Sequence, residues 1–265
     1  MKKEICIAVM VVLTAVFAVS TYFIVSHHIQ GKAQAELYDS LAEQVEATVL
    51  ESASATESEA TEPTMLPELA DLYEQNKDLV GWISIEDTNI NYPVVQSVDR
   101  QDFYLKHAFD GSYSDYGCPY VQEDCDIYYS DNLVIYGHHM GNGSMFNNLE
   151  KFKSKDFWQE HKTVSFNTLM EKADYEIVAV FKTVAYTDSP DAFKYYRFVN
   201  AENADDFNTY IDRCKELSMY DTGVSAEYGD KLITLSTCEY SQANSRLVVV
   251  AKKIVDRPAL EAENS

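Results

Sequence analysis

Cysteine, glycine, proline and positive charge are all scarce in this sequence of 265 residues. Its 5 Cys, 9 Gly and 6 Pro are too few for a small disulfide scaffold, a collagen-like repeat or a low-complexity chain. The 21 Lys and Arg against 43 Asp and Glu give a formal charge of -22, which would repel a nucleic acid, so we expect no nucleic-acid partner. Hydrophobic residues still make up 46%, enough to build a core in one large domain or two small ones.

An uncharged, mostly apolar run extends from Ile5 to Val25. About 20 helical residues cross a ~30 Å hydrocarbon core, so this run is long enough to span a membrane. Lys2 and Lys3 precede it, and the positive-inside rule then places residues 1–4 in the cytoplasm and the rest of the chain outside. A cleaved signal peptide is the alternative, but its apolar region is usually ~7–15 residues long. We therefore predict an uncleaved transmembrane anchor at residues 5–25.

Residues 26–65 are predicted to form an acidic, flexible stalk. Leu37, Leu41, Val45 and Val49 recur every four residues, which is typical of a short juxtamembrane helix. The segment 51–64 consists mainly of Glu, Ser, Ala and Thr and has no large apolar residue, so it cannot bury enough surface to fold.

Residues 66–258 are predicted to fold as one domain, followed by a C-terminal tail at 259–265. A short helix is expected at Pro67–Lys77, and a longer one near 201–219, where Phe207, Tyr210, Ile211 and Cys214 share a face. Runs rich in β-branched and aromatic residues predict seven strands, at 81–85, 90–95, 132–136, 163–166, 175–184, 231–237 and 246–255. This pattern indicates a mainly β fold, a closed or nearly closed barrel with added helices.

Three chemically informative residues lie at the ends of predicted strands. Cys238 ends one strand, Arg246 begins the next, and His138 with His139 follows another strand and a glycine. In an antiparallel hairpin the end of one strand neighbours the start of the next, so Cys238 and Arg246 can face one cleft. A cysteine nucleophile needs a proton partner, which His supplies near neutral pH, and Arg can stabilise a developing oxyanion. Together they form a set of groups suited to acyl transfer.

The motifs that contain these residues resemble those of the sortases, most closely class B. They are YGHHM at Tyr136–Met140, TLSTCE at Thr234–Glu239 and the arginine that begins the last strand, Arg246. The resemblance implies that His138 and Arg246 are catalytic and that Cys238 is the nucleophile. It also implies a closed eight-stranded β-barrel with added N-terminal helices and one long helix between late strands.

The resemblance further implies a reaction and its partners. Sortases are membrane-anchored cysteine transpeptidases of Gram-positive-type envelopes. From the residues themselves we expect no cofactor or metal, because the acidic side chains are scattered and no loop has EF-hand spacing. They cleave a C-terminal sorting signal of secreted proteins, of the NP-x-T type in class B, and transfer the acyl group to an amine of a lipid-linked peptidoglycan precursor. By analogy, the residues that bind the signal include Leu105, Tyr195, Tyr196, Ser236 and Glu239.

Several alternatives stay open from the residues alone. The domain could be a non-catalytic, sortase-like peptide-binding module, or a simple cysteine peptidase in which water resolves the acyl-enzyme. His138 and His139 could exchange roles, although neighbouring strand residues point to opposite faces. Cys118 and Cys125 could pair or stay free, and free thiols are the preferred interpretation. No C-x-x-C or H-x-x-x-H spacing supports a metal site.

Overall fold

The computed structural model describes residues 2–54, 64–185, 192–240 and 244–254. It divides the chain into two compact units, Met1–Ser40 and Leu41–Ser265. The predicted C-terminal tail at 259–265 and part of the predicted stalk, residues 55–63, lie outside the described residues.

Helix α1 extends from Lys2 to Ser54 and contains the predicted anchor. An 18-residue window within it has a mean hydropathy of 2.4 and is not buried, so by length and composition α1 can cross a membrane. The helix also continues through residues 26–54, so it includes the stretch 37–49, where the four-residue spacing predicted a juxtamembrane helix, and the first residues of the segment 51–64 that was expected to be flexible. Ala, Glu, Gln and Leu are frequent in residues 26–54, and these are strong helix formers.

The second unit contains a closed barrel of eight strands in the order β1-β2-β3-β4-β7-β8-β6-β5. The pairs β2–β3 and β4–β7 are parallel and the others are antiparallel. This confirms the predicted eight-stranded barrel. The strands are β1 (Leu79–Ser84), β2 (Asn91–Val95), β3 (Tyr120–Val121), β4 (Asn132–Tyr136), β5 (Thr163–Thr168), β6 (Asp174–Val184), β7 (Leu232–Cys238) and β8 (Ser245–Lys253).

Helices decorate the barrel where the sequence predicted them, and further short helices join them. Helix α2 (Pro67–Gln75) precedes β1, and α4 (Ala204–Leu217) lies between β6 and β7. The side chain of Asn203 caps α4 by accepting a hydrogen bond from the Asp206 backbone N–H at 3.1 Å. The additional α3 (Lys155–Glu160) and the 3₁₀ helices Phe103–Leu105, Phe146–Lys153 and Tyr195–Arg197 lie in the connections between strands.

Burial of the strand residues stabilises the barrel. Strands β7 and β8 are almost entirely buried, and the run Leu247–Ala251 is fully so. Continuous apolar runs of this kind are typical of strands that are covered on both faces. The parallel neighbours β4 and β7 both end on one side of the barrel, and the chemically informative motifs follow those two ends.

Candidate active site

Cys238 and Arg246 form a directly opposed pair on neighbouring strands. Cys238 is the last residue of β7, and the antiparallel register of β7 and β8 pairs it with Arg246. Residues in such positions have Cβ atoms about 4.5–5.5 Å apart. The guanidinium of Arg246 donates a hydrogen bond through Nη1 to the carbonyl of Ser245 at 3.1 Å. A thiol and a fixed cation therefore lie side by side at this rim of the barrel.

His138 reaches the same rim through the parallel pair of β4 and β7. Tyr136 pairs with Ser236, so His138 comes two residues beyond the paired position, as Cys238 does on its own strand. Two hydrogen bonds extend the pairing past Tyr136: the Gly137 N–H donates to the Ser236 carbonyl at 3.1 Å, and Thr237 Oγ1 donates to the Gly137 carbonyl at 2.8 Å. The register thus directs the histidine toward the thiol.

Gly137 is required where the two strands end. A Cβ atom built there would lie 2.5 Å from the ring of Phe146, closer than any real contact. The absence of a side chain lets the Phe146 ring pack directly against the backbone that precedes His138. This is the physical reason for a glycine immediately before the histidine.

The imidazole of His138 is oriented by a backbone carbonyl. Its Nε2 lies 2.7 Å from the carbonyl oxygen of Leu105. Because a carbonyl only accepts, Nε2 carries the hydrogen, and Nδ1 is the ring nitrogen that can take a proton. Burial lowers the pKa of His138 below its ordinary value; the Leu105 carbonyl opposes this shift, and the positive charge of Lys106 adds to it. The ring is therefore mainly neutral near pH 7.

These three residues line one pocket of about 270 Å³. The 3₁₀ helix Phe103–Leu105 forms one wall, and two hydrogen bonds fix its surroundings. Tyr120 donates to Asp102 Oδ1 at 2.7 Å, and Tyr104 donates to Asp78 Oδ2 at 2.8 Å. The other lining residues are Asp102, Tyr104, Leu105, Cys118, Tyr120, Tyr136, Gly137, Ser236 and Thr237.

The five residues expected to bind a signal peptide lie in different surroundings in the structure. Leu105 and Ser236 line the pocket, and Leu105 is 38% exposed. Tyr195 is buried behind Ser236, with its hydroxyl 2.6 Å from Ser236 Oγ. Tyr196 packs edge-on against Tyr195, and its carbonyl accepts a hydrogen bond from Gln122. Of the residues the structure describes, neither Tyr196 nor Glu239 lines this pocket.

The remaining histidine and cysteines of the motifs lie in other environments. His139 packs edge-on against the ring of Tyr240, with the ring centres 4.9 Å apart, and is not among the described residues that line the pocket. Cys118 and Cys125 are both buried, and no disulfide joins them. Burial raises the pKa of Cys125 to about 12, so its thiol is unreactive.

Sequence reasoning missed several residues of the pocket. Asp102, Tyr104 and Tyr120 come from irregular segments or from the two-residue strand β3, which carry no periodic signal. Tyr136 is part of the YGHHM motif, and its position beside Gly137 is the available indication that it contributes. Cys118 drew attention in the sequence only for its possible pairing with another cysteine.

Comparisons with known proteins identify the family to which the chain is similar. The family model for the sortase domain matches residues 83–254. Sortase B of Listeria monocytogenes is 36% identical over 190 residues, which cover 71% of this chain and 74% of that protein. The structure of a Staphylococcus aureus sortase B–substrate complex superposes with a TM-score of 0.74 at 28% identity, over 86% of this chain and 100% of that one. A sortase B complexed with triglycine has a TM-score of 0.73 at 27% identity, over 86% and 100% of the two chains.

The family model covers more than half of the chain, and the eight-stranded barrel is the architecture that the solved sortase B structures share with it. On these findings the protein belongs to the sortase family and is a class B cysteine transpeptidase.

Proposed function

We propose that this sortase cleaves NP-x-T-type C-terminal sorting signals of secreted proteins through a thioester on Cys238. His138 carries the proton, Arg246 stabilises the developing oxyanion, and an amine of a lipid-linked cell-wall precursor receives the acyl group. The observation that carries the proposal is the single pocket lined by Cys238, His138 and Arg246.

In the first half-reaction the sulfur of Cys238 attacks the carbonyl carbon of the threonine in the signal. The thiol proton passes to Nδ1 of His138, which is neutral near pH 7 and has its other nitrogen engaged with Leu105. When the C–N bond of the tetrahedral intermediate breaks, the same proton goes to the departing amine. The product is a thioester between the signal peptide and Cys238.

In the second half-reaction an amine attacks the thioester carbonyl, and the C–S bond breaks. His138 accepts a proton from the attacking amine, and the thiol is regenerated. One amide bond is exchanged for another, so the overall reaction needs no redox partner or cofactor. The solved sortase B that holds triglycine supports this step, because triglycine ends in a primary amine of the required kind.

Arg246 supplies the fixed charge that both tetrahedral intermediates need. It lies opposite Cys238 across the hairpin, and its planar guanidinium presents several donors to the pocket that it lines. A cation placed where negative charge develops favours the transition state over the bound substrate.

The signal peptide is proposed to contact the exposed side chain of Leu105 and the strand end at Ser236. Tyr195 acts behind Ser236 by holding its hydroxyl, and Tyr196 supports Tyr195. The solved Staphylococcus aureus sortase B–substrate complex supports peptide binding by this fold.

Helix α1 is proposed to anchor the enzyme with its N-terminus in the cytoplasm and its catalytic domain outside, beside emerging client proteins. Its length and hydropathy support this assignment. Tethering to the membrane that holds a lipid-linked acceptor raises the effective concentration of both substrates without any new contact.

Trapping the thioester tests the proposal directly. The full-length chain in detergent is incubated with an NP-x-T peptide, with and without triglycine, and Cys238 is examined by mass spectrometry. We expect an acyl adduct on Cys238 and a triglycine-dependent ligation product. Hydrolysis alone would indicate a peptidase, and binding without cleavage would indicate a peptide-binding module.

Substitutions in the same assay assign the roles. Cys238→Ala and His138→Ala should abolish cleavage, and Arg246→Lys should lose most of it, because lysine keeps the charge but not the planar fork. A Cys238→Ala variant that still cleaves the peptide would contradict the mechanism.

A further inference from the structure

The 3₁₀ helix Phe146–Lys153 contacts the chain at His138 and, through Lys153, the residue that follows Cys238, and we call this helix the brace. At its start, the Phe146 N–H donates to the carbonyl of His138 at 2.8 Å, and the Phe146 ring packs against Gly137. Leu149 and Phe152 are fully buried and hold the brace in the core. The backbone that carries the histidine is therefore fixed by the first residue of the brace.

At its other end the brace reaches the residue that follows the nucleophile. Lys153 Nζ lies 2.8 Å from Glu239 Oε1 and 2.5 Å from Glu150 Oε2. Neighbouring residues of an extended chain point to opposite faces, so the side chain of Glu239 leaves the side on which Cys238 faces the pocket. Lys153 thus holds the chain at Cys238 from behind.

The burial of Glu239 makes this ion pair costly to break. The side chain of Glu239 is only 6% exposed, and removing one partner of a buried ion pair is strongly destabilising. Lys182 also lies near Glu239, but its Nζ is 3.9 Å from Oε1 and its side chain is more exposed than that of Lys153. Burial lowers the pKa of Lys153, but hydrogen bonds to Glu150 and Glu239 raise it above its ordinary value overall, so the ammonium stays charged.

The same residue also closes the hairpin that carries Arg246. The Glu239 N–H donates to the carbonyl of Ser245 at 2.9 Å, one step beyond the opposed pair of Cys238 and Arg246. Fixing Glu239 therefore fixes the end of β7 and the start of β8 together.

We propose that the brace sets the spacing between His138 and Cys238, and that Lys153 is a positioning residue that acts on the nucleophile through Glu239. This inference rests on the proposed roles of His138 and Cys238. It gives Glu239 a different task from the one the family resemblance implied, since its carboxylate engages Lys153 and does not line the pocket.

The test compares Lys153→Met with Lys151→Met in the full-length chain in detergent. Lys151 belongs to the same helix, but its Nζ donates to the Asp87 carbonyl, away from the pocket. In Lys153→Met, single-turnover thioester formation should be about 10- to 100-fold slower than in wild type, because small misplacements of catalytic groups have effects of this size. The KM for the peptide should change little.

Two control variants complete the comparison. Lys151→Met should behave as wild type, and Lys153→Arg should keep most of the wild-type rate.

A second measurement is the pH profile of Cys238 alkylation by iodoacetamide, with the alkylated residue identified by mass spectrometry. A loss of folding stability alone would not shift this profile. It should change in Lys153→Met, because the thiol and the imidazole are no longer held together. If that variant fails to fold, Lys153→Met combined with Glu239→Gln leaves no unpaired buried charge and should fold, yet still react slowly.

If either folded variant shows a wild-type acylation rate and a wild-type alkylation profile, the proposal that the brace sets the spacing between His138 and Cys238 is wrong. A wild-type chain that forms no thioester would instead contradict the proposed function, so the two failures are distinguishable.

Discussion

At the scale of single residues, the orientation of one imidazole determines which proton the site can move. The carbonyl of Leu105 engages Nε2 of His138, so Nδ1 is the ring nitrogen left to take a proton in the proposed reaction. The motif located this histidine, but it could not show its partner, because Leu105 lies 33 positions earlier in the chain. Tertiary contacts of this kind carry no local sequence signal.

The lowered pKa of His138 leads to a prediction about pH. Activity should fall on the acid side as His138 becomes protonated, and the midpoint of that fall should lie below the ordinary histidine value of about 6.5. Replacing Lys106 by Gln removes a nearby positive charge and the ion pair that offsets the negative charge of Asp115, and both effects favour the imidazolium. The midpoint should therefore move to higher pH in Lys106→Gln.

The measurement is kcat/KM for the signal peptide as a function of pH, which reports ionisations of the free enzyme. A wild-type midpoint at or above the ordinary histidine value would show that burial does not control this ring. A downward shift in Lys106→Gln would show that the sign of the electrostatic argument is wrong.

At the scale of secondary-structure elements, the long strands were predictable and the short ones were not. Seven strands were expected within one or two residues of their observed ends, because β-branched and aromatic residues crowd them. Strand β3 has two residues, Tyr120 and Val121, and no periodicity can identify so short an element. Since Tyr120 and the neighbouring 3₁₀ helix build one pocket wall, the missed elements are also where the missed site residues lie.

The helical stretch after the anchor illustrates a different limit. The Glu, Ser, Ala and Thr content of the segment 51–64 predicts flexibility, yet its first residues, 51–54, lie in α1. Polar composition excludes a packed core, but it does not exclude a helix, whose backbone hydrogen bonds are satisfied within the segment.

Gly137 provides the clearest prediction at this scale. Gly137→Ala would push a methyl group into the Phe146 ring, so we expect a loss of about 1–3 kcal/mol of stability from overpacking. Activity should fall further than stability, because the displaced segment carries His138. Thermal unfolding and peptide cleavage measure the two effects separately.

Gly141→Ala is the matched control, since Gly141 lies in the same loop and a Cβ there would meet nothing within 4 Å. We expect it to keep wild-type stability and activity. Equal behaviour of the two alanine variants would mean that the approach of Phe146 does not constrain the backbone before His138.

At the scale of the whole molecule, the charge of the chain and the apolar window of α1 bear on the proposed membrane anchor. The formal charge of -22 has no evident role in acyl transfer and is best explained as a solvated surface. The apolar window of α1, by contrast, gives the chain a physical reason to stay at a membrane. A membrane-bound enzyme meets secreted clients and a lipid-linked acceptor in two dimensions, where encounter is frequent.

This arrangement works only if the catalytic domain lies outside, and the flanking charges predict that it does. Lys2 and Lys3 precede the apolar run and should hold the N-terminus in the cytoplasm. In protoplasts of a Gram-positive host, external protease should therefore degrade the catalytic domain and spare an N-terminal epitope tag. Changing both lysines to Glu should expose part of the tag, because the charge difference that sets orientation is lost.

Lys32→Glu, on the far side of the apolar run, is the control. It should leave the tag protected, since removing positive charge there strengthens the same bias. A wild-type tag digested in intact protoplasts would place the pocket on the wrong side of the membrane for its proposed clients.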